Sequence, residues 1–175
     1  MVAMALKAGR RTLACARWGA VLLALALSAC AGDPTRMQLG STRSEVLQQL
    51  GQPTAIYALP GGERLQYSRA PAGFEVSNVD LDASGRVRSV RQELDESLFG
   101  STIEPGRWRI EDVLRTYGPP LERARVWSFQ GEVWTWRYRQ MNARRFLYIY
   151  IAPDGVVQHY NVGDDPTSDS NRARD

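Results

Sequence analysis

Leu39-Gly40-Ser41-Thr42-Arg43-Ser44-Glu45-Val46-Leu47-Gln48-Gln49-Leu50-Gly51-Gln52-Pro53 returns, about 67 residues on, as Pro105-Gly106-Arg107-Trp108-Arg109-Ile110-Glu111-Asp112-Val113-Leu114-Arg115-Thr116-Tyr117-Gly118-Pro119-Pro120. Glu45 aligns with Asp112, Val46 with Val113, Leu47 with Leu114, Gly51 with Gly118 and Pro53 with Pro120. Self-similarity at a fixed spacing marks a repeated structural unit. Thr42 with Glu45 forms a capping box, and Val46, Leu47 and Leu50 fall on one helical face. Gly51 stands where a left-handed C-cap is required, and Pro53 stops continuation.

Strand-like runs follow each helix and are separated by Pro, Gly and polar residues. In the first copy they cover 63–69, 74–81 and 86–92; in the second, 132–139, 145–152 and 156–162, with a possible extra strand at 125–129. The chain is therefore expected to be α+β, with two tandem units of one helix and a three-stranded antiparallel sheet. Asp82-Ala83-Ser84-Gly85 and Ala152-Pro153-Asp154-Gly155 have the pattern of a type I turn followed by a left-handed Gly. That turn pairs Asp82 with Arg86, Asp80 with Arg88 and Leu81 with Val87. In the second copy it pairs Ala152 with Val156, Tyr150 with Gln158, Tyr148 with Tyr160 and Ile151 with Val157. Val79, Leu81 and Val87, and their counterparts Ile149, Ile151 and Val157, are expected to lie under the helices.

The opposite faces differ. A symmetric connection over 140–144 would set Tyr138 against Phe146, Trp136 against Tyr148 and Trp134 against Tyr150, an aromatic ladder. Eleven aromatics lie in 106–162, against four between Cys30 and that segment. Two readings stand: this face is buried against the first copy or the connection around Leu98-Phe99, or it is a surface for a protein partner or lipid. On the second reading the binding residues are Trp134, Trp136, Tyr138, Tyr148 and Tyr150. Arg137, Arg139, Arg144 and Arg145 read as a solvated rim or as lipid-headgroup contacts.

The N-terminus sets the expected compartment. Lys7, Arg10, Arg11 and Arg17 precede an apolar run over 18–27 that ends Leu27-Ser28-Ala29-Cys30. A basic start, a short apolar run and small residues describe a secretory signal, too short to span a bilayer stably. Arg10-Arg11 lacks most of a twin-arginine motif. The four residues ending at Cys30 resemble a bacterial lipobox, which implies a lipidated Cys30; an ordinary signal peptide carrying a Cys is the alternative. Ala31, in place of an Asp, favours the outer membrane over inner-membrane retention, with the protein facing the periplasm.

The chain has 175 residues, 22 basic and 19 acidic, and a pI near 9.1. Cleavage before Cys30 would remove four basic residues, among them Lys7, the only Lys, and leave 18 basic against 19 acidic. The basic balance then belongs to the signal, and no nucleic-acid partner is expected. With Cys15 removed and Cys30 lipidated, no thiol remains for a disulfide or a metal.

The helix-plus-meander unit with Gly…Glu-Val-Leu…Leu-Gly-x-Pro is similar to the SmpA/OmlA (BamE-like) family of outer-membrane lipoproteins, over about 37–163. That resemblance implies helices on one face of a three-stranded sheet and an accessory role in outer-membrane protein assembly. The tandem arrangement resembles the β-lactamase inhibitory protein, whose paired units form a concave protein-binding sheet. On this basis 1–29 is the signal, 30–38 a lipidated tether, 39–93 and 105–163 the two repeats, 94–104 a linker and 164–175 a disordered tail.

Enzymatic signals are weak. His159 is the only His, with neither a Cys nucleophile nor a Ser-His-Asp pattern around it. Asp80 and Asp82 read as cross-strand ion-pair partners of Arg88 and Arg86 rather than metal ligands. No phosphate loop appears. The expected function is a non-catalytic, lipid-anchored protein-interaction module of the outer membrane or envelope, with no cofactor, metal or small-molecule substrate. The alternative is an inhibitor of a periplasmic or secreted enzyme.

Overall fold

In the computed structural model, residues 32–166 are described. The expected signal segment and Cys30 lie outside them, as do 167–175 of the expected tail. Helix α1 (Arg43–Leu50) begins at Thr42, whose N–H donates to Glu45 Oε2 (2.7 Å) while Glu45 N–H donates to Thr42 Oγ1 (3.3 Å). Strands β1 (Ala55–Leu59), β2 (Gly62–Ser68), β3 (Val76–Asp82) and β4 (Val87–Gln92) then form an antiparallel sheet in chain order. The second half repeats the pattern. Helix α2 (Glu96–Thr102) and helix α3 (Ile110–Tyr117) precede β5 (Glu122–Ala124), β6 (Glu132–Gln140), β7 (Ala143–Ile151) and β8 (Val157–Asp164). In α3 the Arg109 N–H donates to Asp112 Oδ2 (2.9 Å), the role Glu45 has in α1. Gly51 and Gly118 end the two helices at φ 78° and 66°, a region costly for residues with a Cβ.

Each sheet therefore has four strands, not three. The added edge strand follows the helix in both copies; in the second copy it is Glu122–Ala124, and 125–129 is a turn. The expected linker is also structured. Asp95 caps α2 by accepting from Ser97 N–H (3.0 Å), and Leu94, Phe99 and Ile103 are buried in the second core. Met37, expected in the tether, is buried in the first core, next to a 3-10 turn at Pro34–Arg36. At the other end β8 runs to Asp164 and Asp165 is fully buried, so order extends past the expected start of the tail.

Val46 and Leu50 of α1 pack on Leu65, Val79, Leu81 and Val87, the face expected to lie under the helix. Burial of each such side chain contributes roughly 1.5–3 kcal/mol. In the second copy Val113 and Tyr117 of α3 cover Leu147, Ile149, Ile151 and Val157, again as expected. The two units are joined by the other face of the first sheet, which receives the C-terminal end of α3. Among the described residues, those from Asp33 onward form one compact unit. The layers run α1, first sheet, α3 with α2, second sheet.

Candidate interaction face of the second sheet

Where the aromatics of the second sheet point depends on a single turn. Met141 and Asn142 alone connect β6 to β7, so Gln140 pairs with Ala143 and not with Arg144. Each pair along the hairpin shifts by one residue: Trp134 lies opposite Ile149, Trp136 opposite Leu147, and Tyr138 opposite Arg145. A one-residue shift reverses the face of every side chain. Trp134, Trp136 and Tyr138 are consequently core, 2%, 1% and 0% exposed, and the expected one-faced ladder with Tyr148 and Tyr150 does not form.

Energetics favour this register. Met141 takes φ 52°, at about 1–2 kcal/mol for a side chain in the left-handed region. In return two Trp side chains are buried, each worth about 3–5 kcal/mol against Ala. Trp136 Nε1–H donates to Tyr117 O (3.1 Å), Trp134 Nε1–H to Glu132 Oε2 (2.9 Å), and Tyr138 O–H to Glu96 Oε2 (2.5 Å). Phe99 of α2 meets Tyr138 edge-on at 5.2 Å. Part of the aromatic set is thus buried against the segment around Leu98-Phe99, and part is not.

The remaining part forms the outer face: Val133, Thr135, Phe146, Tyr148, Tyr150, His159 and Asn161. Phe146, Tyr148 and Tyr150 are half-buried and His159 is exposed; none belongs to either core. Tyr150 and His159 stack at 4.0 Å and 18°, and Phe129 meets both edge-on at 5.3 and 5.9 Å. Tyr148 and Phe146 make an edge contact at 5.8 Å, and partial burial raises the Tyr148 hydroxyl pKa. These rings are held in place before any partner arrives, which lowers the entropic cost of binding. At the hairpin end Arg139 lies over Phe74 (4.7 Å), and Arg137 Nε lies 3.3 Å from Asp165 Oδ2. At the opposite end Trp127 is fully exposed beside an open cleft of about 640 Å³ lined by Ile110, Phe129 and Pro153.

The matching face of the first sheet is polar and covered. Tyr57 O–H and Gln66 Nε2–H donate to Leu114 O (both 3.2 Å). Gln66 Nε2–H also reaches Arg115 O (3.1 Å), as does Arg64 Nη1–H (3.2 Å), and Asn78 Nδ2–H reaches Thr116 O (3.0 Å). Four side chains thereby donate to carbonyls of the helix's last turn, where Arg115 O and Thr116 O lack an intrahelical donor and Leu114 O also takes the Gly118 N–H (2.8 Å). Sequence reading missed this grip, although a signal was present: the strand positions carrying Gln66 and Asn78 carry Thr135 and Tyr148 in the second copy. Positions that grip a helix in one sheet carry Thr135, with its shorter side chain, and the aromatic Tyr148 in the other.

Other expected pairings are revised by β-bulges at equivalent places in both copies. Leu81–Val87 and Ile151–Val157 pair as expected, but Asp80 faces Ser89, Tyr150 faces His159 and Tyr148 faces Asn161. Asp80 is bound by Arg64, at 2.6 and 2.9 Å, with Arg88 at 4.0 Å. Asp82 accepts from Ser84 N–H (2.8 Å) and Arg86 N–H (3.0 Å), closing its turn. Among the described residues no group of three or more His, Cys, Asp or Glu side chains is placed to hold a metal ion. Among them too, no helix is long and apolar enough to cross a membrane.

No protein-family model matches the chain, and no curated protein matches it. Among solved structures the chain is similar to a DUF4309 family protein, YjgB, from Bacillus subtilis. The identity is 15%, over 71% of this chain and 79% of that one, with a TM-score of 0.30.

Proposed function

We propose that this protein is a lipid-anchored, non-catalytic protein-binding module of the outer membrane or envelope, and that the outer face of the second sheet is its docking surface. The observation that carries the reading is the contrast between the two sheets. The first covers its outer face with α3; the second leaves Phe146, Tyr148 and Tyr150 half-exposed in an ordered array. Ordered aromatics at a patch centre are the side chains that most often dominate binding energy. Cys30 supplies the anchor, at the end of a lipobox-like Leu27-Ser28-Ala29-Cys30. A diacylglycerol on the Cys30 thiol and an acyl chain on its amine, which the lipobox resemblance implies, would hold far more firmly than the marginal grip of one chain. The resemblance of the sequence to the SmpA/OmlA family supports a role in outer-membrane protein assembly or maintenance.

Of the residues expected to bind, Tyr148 and Tyr150 remain in the docking surface, while Trp134, Trp136 and Tyr138 support it from the core. The inhibitor reading draws on the fully exposed Trp127 beside this face, a side chain suited to entering a partner's cleft. Affinity capture from membranes separates the possibilities, comparing the parent chain with Cys30→Ala and with Tyr148→Ala/Tyr150→Ala. The expected result is a protein captured by the parent and lost from the folded tyrosine variant. Equal capture by both would defeat the assignment of this face, and a captured enzyme that loses activity would favour inhibition.

A further inference from the structure

Strand β8 ends the second sheet as an edge, and its outward backbone groups follow from the register. A two-residue turn makes Gln140 and Ala143 a hydrogen-bonded pair, so odd-numbered residues of β7 turn their N–H and C=O toward β6 and even-numbered ones toward β8. Their partners in β8 are His159, Asn161 and Gly163, in phase with the bond from Asp165 N–H to Arg144 O (3.1 Å). Tyr160, Val162 and Asp164 therefore direct their backbone groups away from the sheet. Earlier in the strand the edge is already used. Val157 O accepts from Gly106 N–H (2.7 Å) and Val157 N–H donates to Trp108 O (2.9 Å). That strap stops at Pro105, which has no N–H to give.

Exposed edges are usually blunted with charge or Pro. Strand β4 follows that rule with Arg88 and Arg91 exposed. The one charged residue of β8 is Asp164 at its end, held by Arg145 Nη1 (3.0 Å); from Val157 to Gly163 there is neither Lys, Arg, Asp, Glu nor Pro, and Asn161 and Val162 are exposed. We infer that the β8 edge pairs with the same edge of a second copy of this chain, antiparallel about Val162. The occupant is identified by complementarity readable residue by residue. Val162 meets its twin in a bonded pair, each Asp164 meets a Tyr160, and Asn161 meets Gly163, so no like charges oppose. Continuity also supports it, since the pairing extends an edge the strap already uses. Helix α2, which brings Gly100 close to the Tyr160 hydroxyl, exposes only Ser97, Gly100 and Ser101, leaving room for a neighbour. The two four-stranded sheets become one of eight strands, with both aromatic faces on the same side. This inference concerns a different surface from the docking face and stands or falls separately.

Cysteine bridging in cells expressing the full-length chain tests the pairing. Bonded antiparallel partners have Cα atoms about 5.5 Å apart, within disulfide range. Val162→Cys should therefore give a covalent dimer under mild oxidation, well above the background from Cys15 and Cys30. The two copies of Asn161 lie diagonally, at roughly 7–8 Å. Asn161→Cys should bridge several-fold less. Val162→Pro removes an outward N–H only, so it should melt like the parent while sedimenting as a monomer. Bridging of Val162→Cys no greater than background, or equal to Asn161→Cys, overturns the inference, as does a parent that sediments as a monomer at every concentration.

Discussion

Gln66, in the middle of the first sheet, holds the end of the second repeat's helix: its Nε2–H lies 3.2 Å from Leu114 O and 3.1 Å from Arg115 O. Tyr57, Arg64 and Asn78 complete the grip, and Glu93, 1% exposed, accepts from Asn78 Nδ2–H at 3.1 Å. The repeats are thus joined by hydrogen bonds to helix carbonyls as well as by apolar packing, and they should unfold together.

Gln66→Leu removes one donor from Leu114 O and Arg115 O, which keep the Gly118 N–H, the Tyr57 O–H and the Arg64 Nη1–H, so it should cost about 0.5–1.5 kcal/mol. Urea unfolding should show one transition with a lower midpoint and an unchanged slope. Two separated transitions in the parent would show that the seam does not couple the repeats.

Trp136 and Tyr148 should respond in opposite ways. Trp136→Ala opens a core cavity and should cost about 3–5 kcal/mol. Tyr148→Ala acts on the outer face and should cost under about 1.5 kcal/mol, since mainly cross-strand contacts are lost. Thermal melts of the two single variants would reveal a wrong register at once, because the shifted pairing reverses the order.

Alkaline pH should unfold the protein through its tyrosines. Burial raises the Tyr117 and Tyr138 hydroxyl pKa values strongly, with the carboxylates of Glu93 and Glu96 adding to the effect, and pushes Tyr67 up to about 12. A raised folded-state pKa means the folded form keeps its proton while the unfolded chain, near its ordinary pKa of about 10, releases it. Stability is therefore full below about pH 10 and falls above it, for Tyr67 across the window up to about 12. Tyr117 Oη is buried without a hydrogen-bond partner, so Tyr117→Phe should be neutral or stabilising and should lessen the alkaline loss. Tyrosinate absorbance and near-ultraviolet circular dichroism, followed together against pH, measure this.

Met141→Gly should stabilise the protein by roughly 1 kcal/mol, because Gly takes φ 52° without the Cβ clash and Met141 is 93% exposed. A destabilised Met141→Gly would mean the hairpin does not turn at residues 141–142.

What could be read in the sequence was local. The Thr42–Glu45 box, the glycine caps at Gly51 and Gly118 and the faces carrying Val79, Leu81, Ile149 and Ile151 are written within a few residues each. The aromatic face was not legible, because it depends on whether two or three residues bridge β6 and β7, and 140–144 carries neither Gly nor Pro to decide it. Helix α2 escaped for a related reason. Its seven residues include Gly100 and are too short to be stable alone; burial of Phe99 holds them. The polar grip on α3 joins residues some 50 positions apart, beyond any local pattern.

The most direct test of the docking face places a photoreactive amino acid at Tyr150 in the full-length chain in living cells, with a second version at Gln48 on the exposed side of α1. The account expects a protein adduct from position 150, absent from position 48 and lost when Tyr148→Ala is added. Adducts of equal yield from both positions, or none from position 150 in a folded, membrane-associated protein, would contradict it.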